Sequence, residues 1–328
     1  NQNSTTVIIK VTDDRAPILV LQDIVVELDA NGAYDVNVNE LVVTDSDNCI
    51  NTTLTPASTA FDCSHIGPQT VEITSTDDSG NQTILSAQVT IEDNTAPTAI
   101  INDNLEFQLD PSGNISITAD QIDNGSFDNC TMNNPTISQT DFDCAMSGNQ
   151  SINFTVTDQS GNTTTVPVNV IIKDTIDPVA NGKSFEVFLD ETGNFSITPS
   201  DVENGSTDNC SINHTLSQLS ISEFDCSMTG DNNVSFTVFD NSGNQNSTTV
   251  IIKVTDDRAP ILDFPDQTVQ IDDSGNLKLN ASDLINNSTE NCTAISYTLD
   301  KDNFDCSDLG NIQLTITGKD EYNNSAEQ

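Results

Sequence analysis

Two short cysteine strings alternate along this chain at a near-constant interval. DNC or ENC supplies Cys49, Cys130, Cys210 and Cys292, and FDC supplies Cys63, Cys144, Cys226 and Cys306. Successive first cysteines lie 81, 80 and 82 residues apart. A period of that regularity builds an array of small domains that stack on their neighbours. Residues 1–19 recur without change at 244–262, an offset of 243 residues, or three repeats. The chain thus reads as an excerpt of a longer array, opening on the tail of one repeat and stopping before the end of another.

Prolines mark where repeats begin. Pro17, Pro97, Pro178 and Pro260 each follow an acidic linker. This divides the chain into residues 1–16 as the terminal strand and linker of a preceding repeat, then repeats at 17–96, 97–177 and 178–259. Residues 260–328 form a fourth repeat lacking its last strand. Within each repeat the apolar residues alternate with period two, the mark of a half-buried strand. Val26 and Leu28 face Tyr34 and Val36 across DANG, which reads as a first hairpin. Ile152, Phe154 and Val156 precede DQSGN, and Val166, Val168 and Val170 follow it. Gly32, Gly113, Gly193 and Gly275 suit turns that need positive φ. A single helical turn is expected where a capping residue stands three before an acid or amide, as in Asn37/Glu40, Thr118/Gln121, Thr198/Asp201 and Asn280/Asp283. The expected fold class is all-β: a tandem array of immunoglobulin-like antiparallel β-sandwich domains of about seven strands each.

Hydrophobic residues make up 34 % of the chain and aromatics 5 %, with no Trp, so each core is lean and gains from a cross-link or a metal. Eight evenly spaced cysteines predict an oxidising, extracellular setting. We expect one disulfide per domain, Cys49–Cys63, Cys130–Cys144, Cys210–Cys226 and Cys292–Cys306, each closing a short loop worth about 3 kcal/mol in the chain-entropy picture. Zinc is the competing use of cysteine, but His65 and His214 are the only histidines and occupy no repeating position.

The net charge is −42, from 51 acidic residues against nine Lys and Arg. Nucleic acid, which requires clustered basic residues, is excluded as a partner, and an anionic membrane surface is disfavoured. Three acidic columns recur through the repeats. Asp13, Asp93, Asp174 and Asp256 lie in the linkers, and Asp47, Asp128, Asp208 and Glu290 precede the first cysteine. Asp77, Asp158, Asp240 and Asp320 open the last hairpin turn. In a linear stack all three columns fall at the same end of a sandwich. Carboxylates at that density suit structural Ca²⁺, a hard cation taking six to eight oxygens. Asp14, Asp45, Asp78 and Asp257 are further candidate ligands. Turn chemistry is the alternative use of the same residues, since Asp and Asn bond their own backbone in tight turns. The Asp of FDC (Asp62, Asp143, Asp225, Asp305) makes a fourth column whose facing the pattern leaves open.

The strings ITADQIDNGSFDNC (117–130), TVTDQSGN (155–162), FDCSMTG (224–230) and VTDDRAP (254–260) resemble the HYR-like, immunoglobulin-like repeats of giant cell-surface adhesins in gliding Bacteroidota. The resemblance covers essentially the whole chain. It implies a type IX secreted protein of the cell surface, with a stalk that holds an adhesive region away from the outer membrane. Glu290 in place of Asp, and EYNN at 321–324 in place of the usual turn, depart from the pattern in the fourth repeat.

Catalysis is not expected: no nucleophile stands with a base at a repeating position, and glycosidase-like acid pairs belong in one cleft rather than in copies along a chain. The expected function is an extracellular structural stalk stiffened by calcium at inter-domain junctions. Its partners would be neighbouring repeats of the same long chain, with any membrane contact made by regions outside this segment. The alternative is a subunit of a non-covalent filament, in which residues 4–13 of one copy complete the fourth repeat of another by strand donation.

Overall fold

The computed structural model describes residue 2, residues 4–49 and residues 51–328. The chain is all-β apart from single helical turns, built as immunoglobulin-like sandwiches in tandem. It forms two compact units: residues 1–109 with 114–173, and residues 110–113 with 174–328.

The first sandwich of the first unit contains strands β1 (Ile18–Leu21), β2 (Ile24–Glu27), β3 (Ala33–Asn37), β4 (Val42–Ser46), β5 (Thr52–Thr55), β6 (Ser58–Asp62), β7 (Gly67–Asp77) and β8 (Gln82–Glu92). One sheet has the order β2-β8-β7-β5, and two short ladders, β1-β4 and β3-β6, oppose it. The β7–β8 hairpin is the longest ladder, running from Gly67 opposite Ile91 to Thr76 opposite Gln82. Its alternation buries Val71 and Ile73 from one strand and Ala87, Val89 and Ile91 from the other. Val26, Leu28, Val36 and Phe61 fill the core from the remaining strands, with Cys63 packed against it.

One feature differs from the expected pattern. The segments flanking DANG do not pair as a hairpin: β2 runs parallel to β8, and β3 pairs with β6. The turn carries the chain from one layer to the other, closed by the Asp29 amide donating to the Ala33 carbonyl at 2.9 Å. Alternation reports which side chains face inward and is silent on which neighbour supplies the hydrogen bonds. Between FDC and the penultimate strand, where the sequence pattern places no strand, the described residues form none. Cys63–His65 forms a 3-10 turn and the chain enters β7 at Gly67.

The plan recurs. Glu106–Gln108 runs parallel to Thr163–Lys173, which pairs with Gly148–Thr157. In the second unit Phe185–Phe188 runs parallel to Gln245–Thr255, which pairs with Gly230–Phe239. The last sheet is smaller, with order Ser296–Leu299, Ile316–Lys319, Ser325–Glu327, and its buried core is reduced to Leu279, Leu284 and Ile316. Residues 4–13, expected as a strand, belong to no ladder among the described residues; Asn1 and Asn3 lie outside those residues.

The expected helical turns form at Val38–Glu40, Ala119–Gln121, Pro199–Val202 and Ala281–Asp283, each with its capping box. The FDC acids cap a second set of turns. Asp62, Asp143, Asp225 and Asp305 accept the amides of Ser64, Ala145, Ser227 and Ser307 at 2.8–2.9 Å. The fourth acidic column is therefore helix-capping chemistry.

Candidate metal centres and the cysteines beside them

The carboxylates that the sequence singles out assemble into four clusters whose ligand atoms lie within 4.8 Å of one another: Asp93/Asp128/Asp158, Asp256/Glu290/Asp320, Asp13/Asp47/Cys49 and Asp174/Asp208/Cys210. Each of the first two unites one member of every acidic column. In the other two a cysteine takes the third place, and Asp77 and Asp240 stand outside those groupings.

Local chemistry builds each cluster the same way. In the last hairpin turn, Asp158 accepts the Asn162 amide at 2.7 Å and its side chain at 2.8 Å, and Asn162 Nδ2 also reaches the Asp93 carbonyl at 2.8 Å. One asparagine thus ties the turn of one repeat to the linker before it. The same bridge runs from Asn81 to Asp13 at 3.3 Å, from Asn244 to Asp174 at 3.2 Å and from Asn324 to Asp256 at 3.1 Å. The Asn of the DNC string adds a second tie. Asn129 Nδ2 donates to Asp93 Oδ1 at 3.3 Å and to the Asp29 carbonyl at 3.0 Å, and Asn291 Nδ2 donates to Asp256 Oδ1 and the Asp190 carbonyl, both at 3.2 Å. These asparagines, present in every repeat, position the site and were not singled out in the sequence. Their signal was the unbroken N-C and G-N or N-N dipeptides.

What the turn chemistry leaves unused is more telling. Asp93, Asp158, Asp256 and Asp320 are buried. Asp128 Oδ2 accepts the Cys130 amide at 2.9 Å, yet Asp128 Oδ1 is buried without a partner. Asp256 Oδ2, Glu290 Oε2, Asp13 Oδ2, Asp47 Oδ1 and Asp208 Oδ1 are in the same position. Buried carboxylate oxygens are ordinarily paired. None of the five ion pairs among the described residues involves a member of any cluster. Two carboxylates at such separations repel by about 3 kcal/mol at an effective dielectric of about 20. Turn hydrogen bonds engage both oxygens of Asp158 and of Asp320, but they leave one oxygen each of Asp128, Asp256 and Glu290 without a partner. A hard, oxygen-seeking divalent cation could take those oxygens, and the donor set fits Ca²⁺.

The electrostatics agree with that reading. Burial pushes the Glu290 carboxyl up; amide hydrogen bonds from Asn291 and Cys292 oppose this, and the nearby Asp256 and Asp320 charges add to it. The Cys49 thiol hydrogen-bonds Asp13, which raises the thiol, aided by burial and by Asp47 and Asp77. The same bond lowers Asp13. Burial would raise Asp77, but hydrogen bonds from Asn81, then from Ser79 and Gly80, outweigh it and leave the acid lowered. Among the further candidates, Asp45 is committed elsewhere: it accepts the Thr52 and Ser75 hydroxyls, both at 2.6 Å. Asp78 accepts from Asn51 at 3.0 Å.

The cysteines correct the expected pairing. Cys63 bonds to Cys130 and Cys226 to Cys292, spanning 67 and 66 residues instead of closing a short loop inside one repeat. FDC of one repeat joins DNC or ENC of the next. Cys144 and Cys210 are also disulfide-bonded, whereas Cys49 and Cys306 are exposed free thiols. The reason is placement: Cys63 and Cys226 lie at the far end of their sandwiches from the DNC loop, where each meets the first cysteine of the following repeat. Each junction disulfide sits two residues from a cluster acid, next to Asp128 or Glu290.

No family model and no curated protein matches the sequence. Similar solved structures include a cis-dimer structure of protocadherin γB7 domains EC3–6, at 12 % identity and a TM-score of 0.30, covering 95 % of this chain and 98 % of that one. The human desmocollin-1 ectodomain is similar at 11 % identity and a TM-score of 0.25, over 96 % and 78 % of the two chains. Drosophila N-cadherin EC1–4 is similar at 12 % and 0.27, over 93 % and 98 %.

Proposed function

We propose that this chain is part of an extracellular, non-catalytic stalk of a repetitive surface adhesin, of the HYR-like gliding-adhesin kind that its strings resemble. Its modules are the repeats 17–96, 97–177, 178–259 and 260–328. Calcium held by the linker, pre-cysteine and turn acids stiffens each junction, and a disulfide across the same junction keeps the modules tethered. The adhesive region and the membrane anchor belong to other parts of such a protein. The single observation carrying this reading is the pair of triads Asp93/Asp128/Asp158 and Asp256/Glu290/Asp320, in which carboxylate oxygens converge with no cationic side chain among the described residues to pair them.

Calorimetric titration of the metal-stripped chain with calcium tests it. Saturable binding is expected, with magnesium competing poorly because octahedral geometry suits these clusters less. In Asp93→Asn/Asp158→Asn, the stoichiometry should fall while binding elsewhere survives. A chain that takes up no calcium at millimolar concentration would overturn the reading.

A further inference from the structure

Residues 128–130 carry three different ties in a row. Asp128 belongs to the Asp93/Asp128/Asp158 cluster, Asn129 joins the linker acid to the preceding repeat, and Cys130 is bonded to that repeat through Cys63. Glu290, Asn291 and Cys292 do the same toward Asp256, Asp190 and Cys226. Each stretch lies in one compact unit together with all of these partners.

The three ties share one short backbone. Asp128 Oδ2 accepts the Cys130 amide at 2.9 Å, so the position of the half-cystine sets the tilt of the carboxylate whose Oδ1 is buried without a partner. Glu290 Oε1 accepts the Asn291 amide at 2.9 Å and the Cys292 amide at 3.4 Å, and Oε2 is left over. The disulfide presses on the same loop from the other side. Cys63 Sγ lies 3.4 Å from the Asn129 carbonyl oxygen and 3.6 Å from that of Gly32. Cys226 Sγ lies 3.4 Å from the Asn291 oxygen and 3.6 Å from that of Gly193. A Cβ on Gly193 would come within 2.6 Å of that sulfur and 2.7 Å of the Asn291 oxygen, so turn, sulfur and ligand loop are packed without slack.

The origin of the ligands matters as much as their distances. Asp93 is in the linker, and Asp128 and Asp158 are in the second repeat, so the triad by itself does not grip the first sandwich. The loop is held against that sandwich by the Cys63–Cys130 bond and by Asn129 Nδ2, which donates to the Asp29 carbonyl at 3.0 Å. Cutting the covalent tie leaves the loop to its hydrogen bonds. A cation binding afterwards must itself restrain the loop, a cost that the disulfide otherwise meets in advance.

We propose that the junction disulfide and the calcium site are coupled: calcium binds the oxidised junction more tightly than the reduced one, and bound calcium protects the disulfide from reduction. This rests on the calcium reading above and adds a regulator to it, the thiol–disulfide poise of the surroundings. The two effects are equal in size, because each ligand stabilises the same loop conformation and linkage is reciprocal. The reductant is a dithiol. One of its thiolates attacks a cystine sulfur to give a mixed disulfide, and its second thiol displaces the protein sulfur. Cys63 and Cys130 gain two electrons and two protons, and the dithiol leaves as its cyclic disulfide.

The test has two arms, both on the full chain with Cys49 and Cys306 alkylated beforehand. In the first, calcium is titrated into the oxidised chain and into the chain reduced with dithiothreitol, with hydrogen-exchange protection read at residues 126–132 and 288–294. The reduced chain should need about tenfold more calcium for half-maximal protection, within the usual range for coupled sites. In the second, the chain is equilibrated with dithiothreitol and its cyclic disulfide, then quenched by alkylation and read by peptide mass spectrometry. Saturating calcium should make both disulfides harder to reduce by the same factor, about 30 mV for two electrons. Asp128→Asn keeps an oxygen for the Cys130 amide but loses the charge. It should abolish the shift at Cys63–Cys130 and leave that at Cys226–Cys292, an internal control in the same molecule. Equal calcium requirements in the oxidised and reduced chains would overturn the coupling and leave the calcium reading standing, whereas no calcium response in either would overturn both. A calcium shift that persists at Cys63–Cys130 in Asp128→Asn would also sink the coupling. So would loss of protection throughout strands 67–77 and 82–92 on reduction, since the effect would then run through unfolding of the sandwich instead of through the loop.

Discussion

Glu290 carries the logic of these clusters in one side chain. It stands where three other repeats have Asp, and the longer side chain still brings its carboxylate into the triad, so the substitution that sets the fourth repeat apart preserves the geometry. Its raised pKa fixes the sign of a pH effect. The folded, metal-free protein disfavours ionised Glu290, chiefly through burial, so the ionised group opposes folding at neutral pH. That penalty is relieved as pH falls through the raised folded pKa, and it is gone below the ordinary carboxylate value. Without metal, hydrogen-exchange protection at residues 289–292 and 320–324, corrected for intrinsic rates, should therefore rise on mild acidification. With calcium the trend reverses, because protonation removes a ligand. Glu290→Gln should mimic the protonated form: more protected than wild type without calcium at pH 7, and indifferent to calcium there. Equal calcium-dependent protection in variant and wild type would remove Glu290 from the ligand set.

At the scale of elements, the junction disulfide and the glycine turn under it act as one device. Gly32 has φ +70°, and a Cβ there would lie 2.5 Å from both Cys63 Sγ and the Asn129 carbonyl. Gly67, at φ +102°, faces open space. Gly32→Ala should therefore destabilise by more than the roughly 1 kcal/mol of backbone strain alone that Gly67→Ala reports, and it should lower the yield of the Cys63–Cys130 bond. Cys130→Ser opens a 67-residue loop and should cost about 4 kcal/mol in guanidinium unfolding, if chain entropy dominates. These elements also show what a linear sequence can and cannot disclose. Inward-facing residues such as Phe154 and Val168 were legible from alternation, and the capped turns at Asn37, Thr118, Thr198 and Asn280 from local spacing, because both depend on near neighbours. The parallel β2–β8 pairing was not, since alternation is identical for either partner. The acid columns were legible as a set, but their orphan oxygens were not. Cysteine pairing was hidden for the same reason: short spacing in sequence places Cys49 and Cys63 in one repeat, whereas the fold puts them at opposite ends of it.

For the whole molecule the deciding quantity is where charge sits. One Ca²⁺ in each of the four clusters cancels only eight of the 42 net negative charges, so global neutralisation cannot be the main effect of the metal. At physiological salt the Debye length is about 8 Å, which screens repulsion between distant repeats but not between carboxylates packed within a cluster. Removing calcium should therefore act at the junctions. Each loses its clamp while disulfides such as Cys63–Cys130 and Cys226–Cys292 keep the modules tethered, and successive sandwiches reorient about a covalent hinge. Small-angle scattering should then show a wider spread of dimensions and a smaller mean radius of gyration in chelator, restored by calcium and not by equal ionic strength of sodium. Raising salt at constant chelator should leave the spread in place, because the lost restraint is local ligation. Scattering curves that superimpose with and without calcium would mean that hydrogen bonds such as Asn162 to Asp93 already fix the junction unaided, and the acids would then be turn formers only.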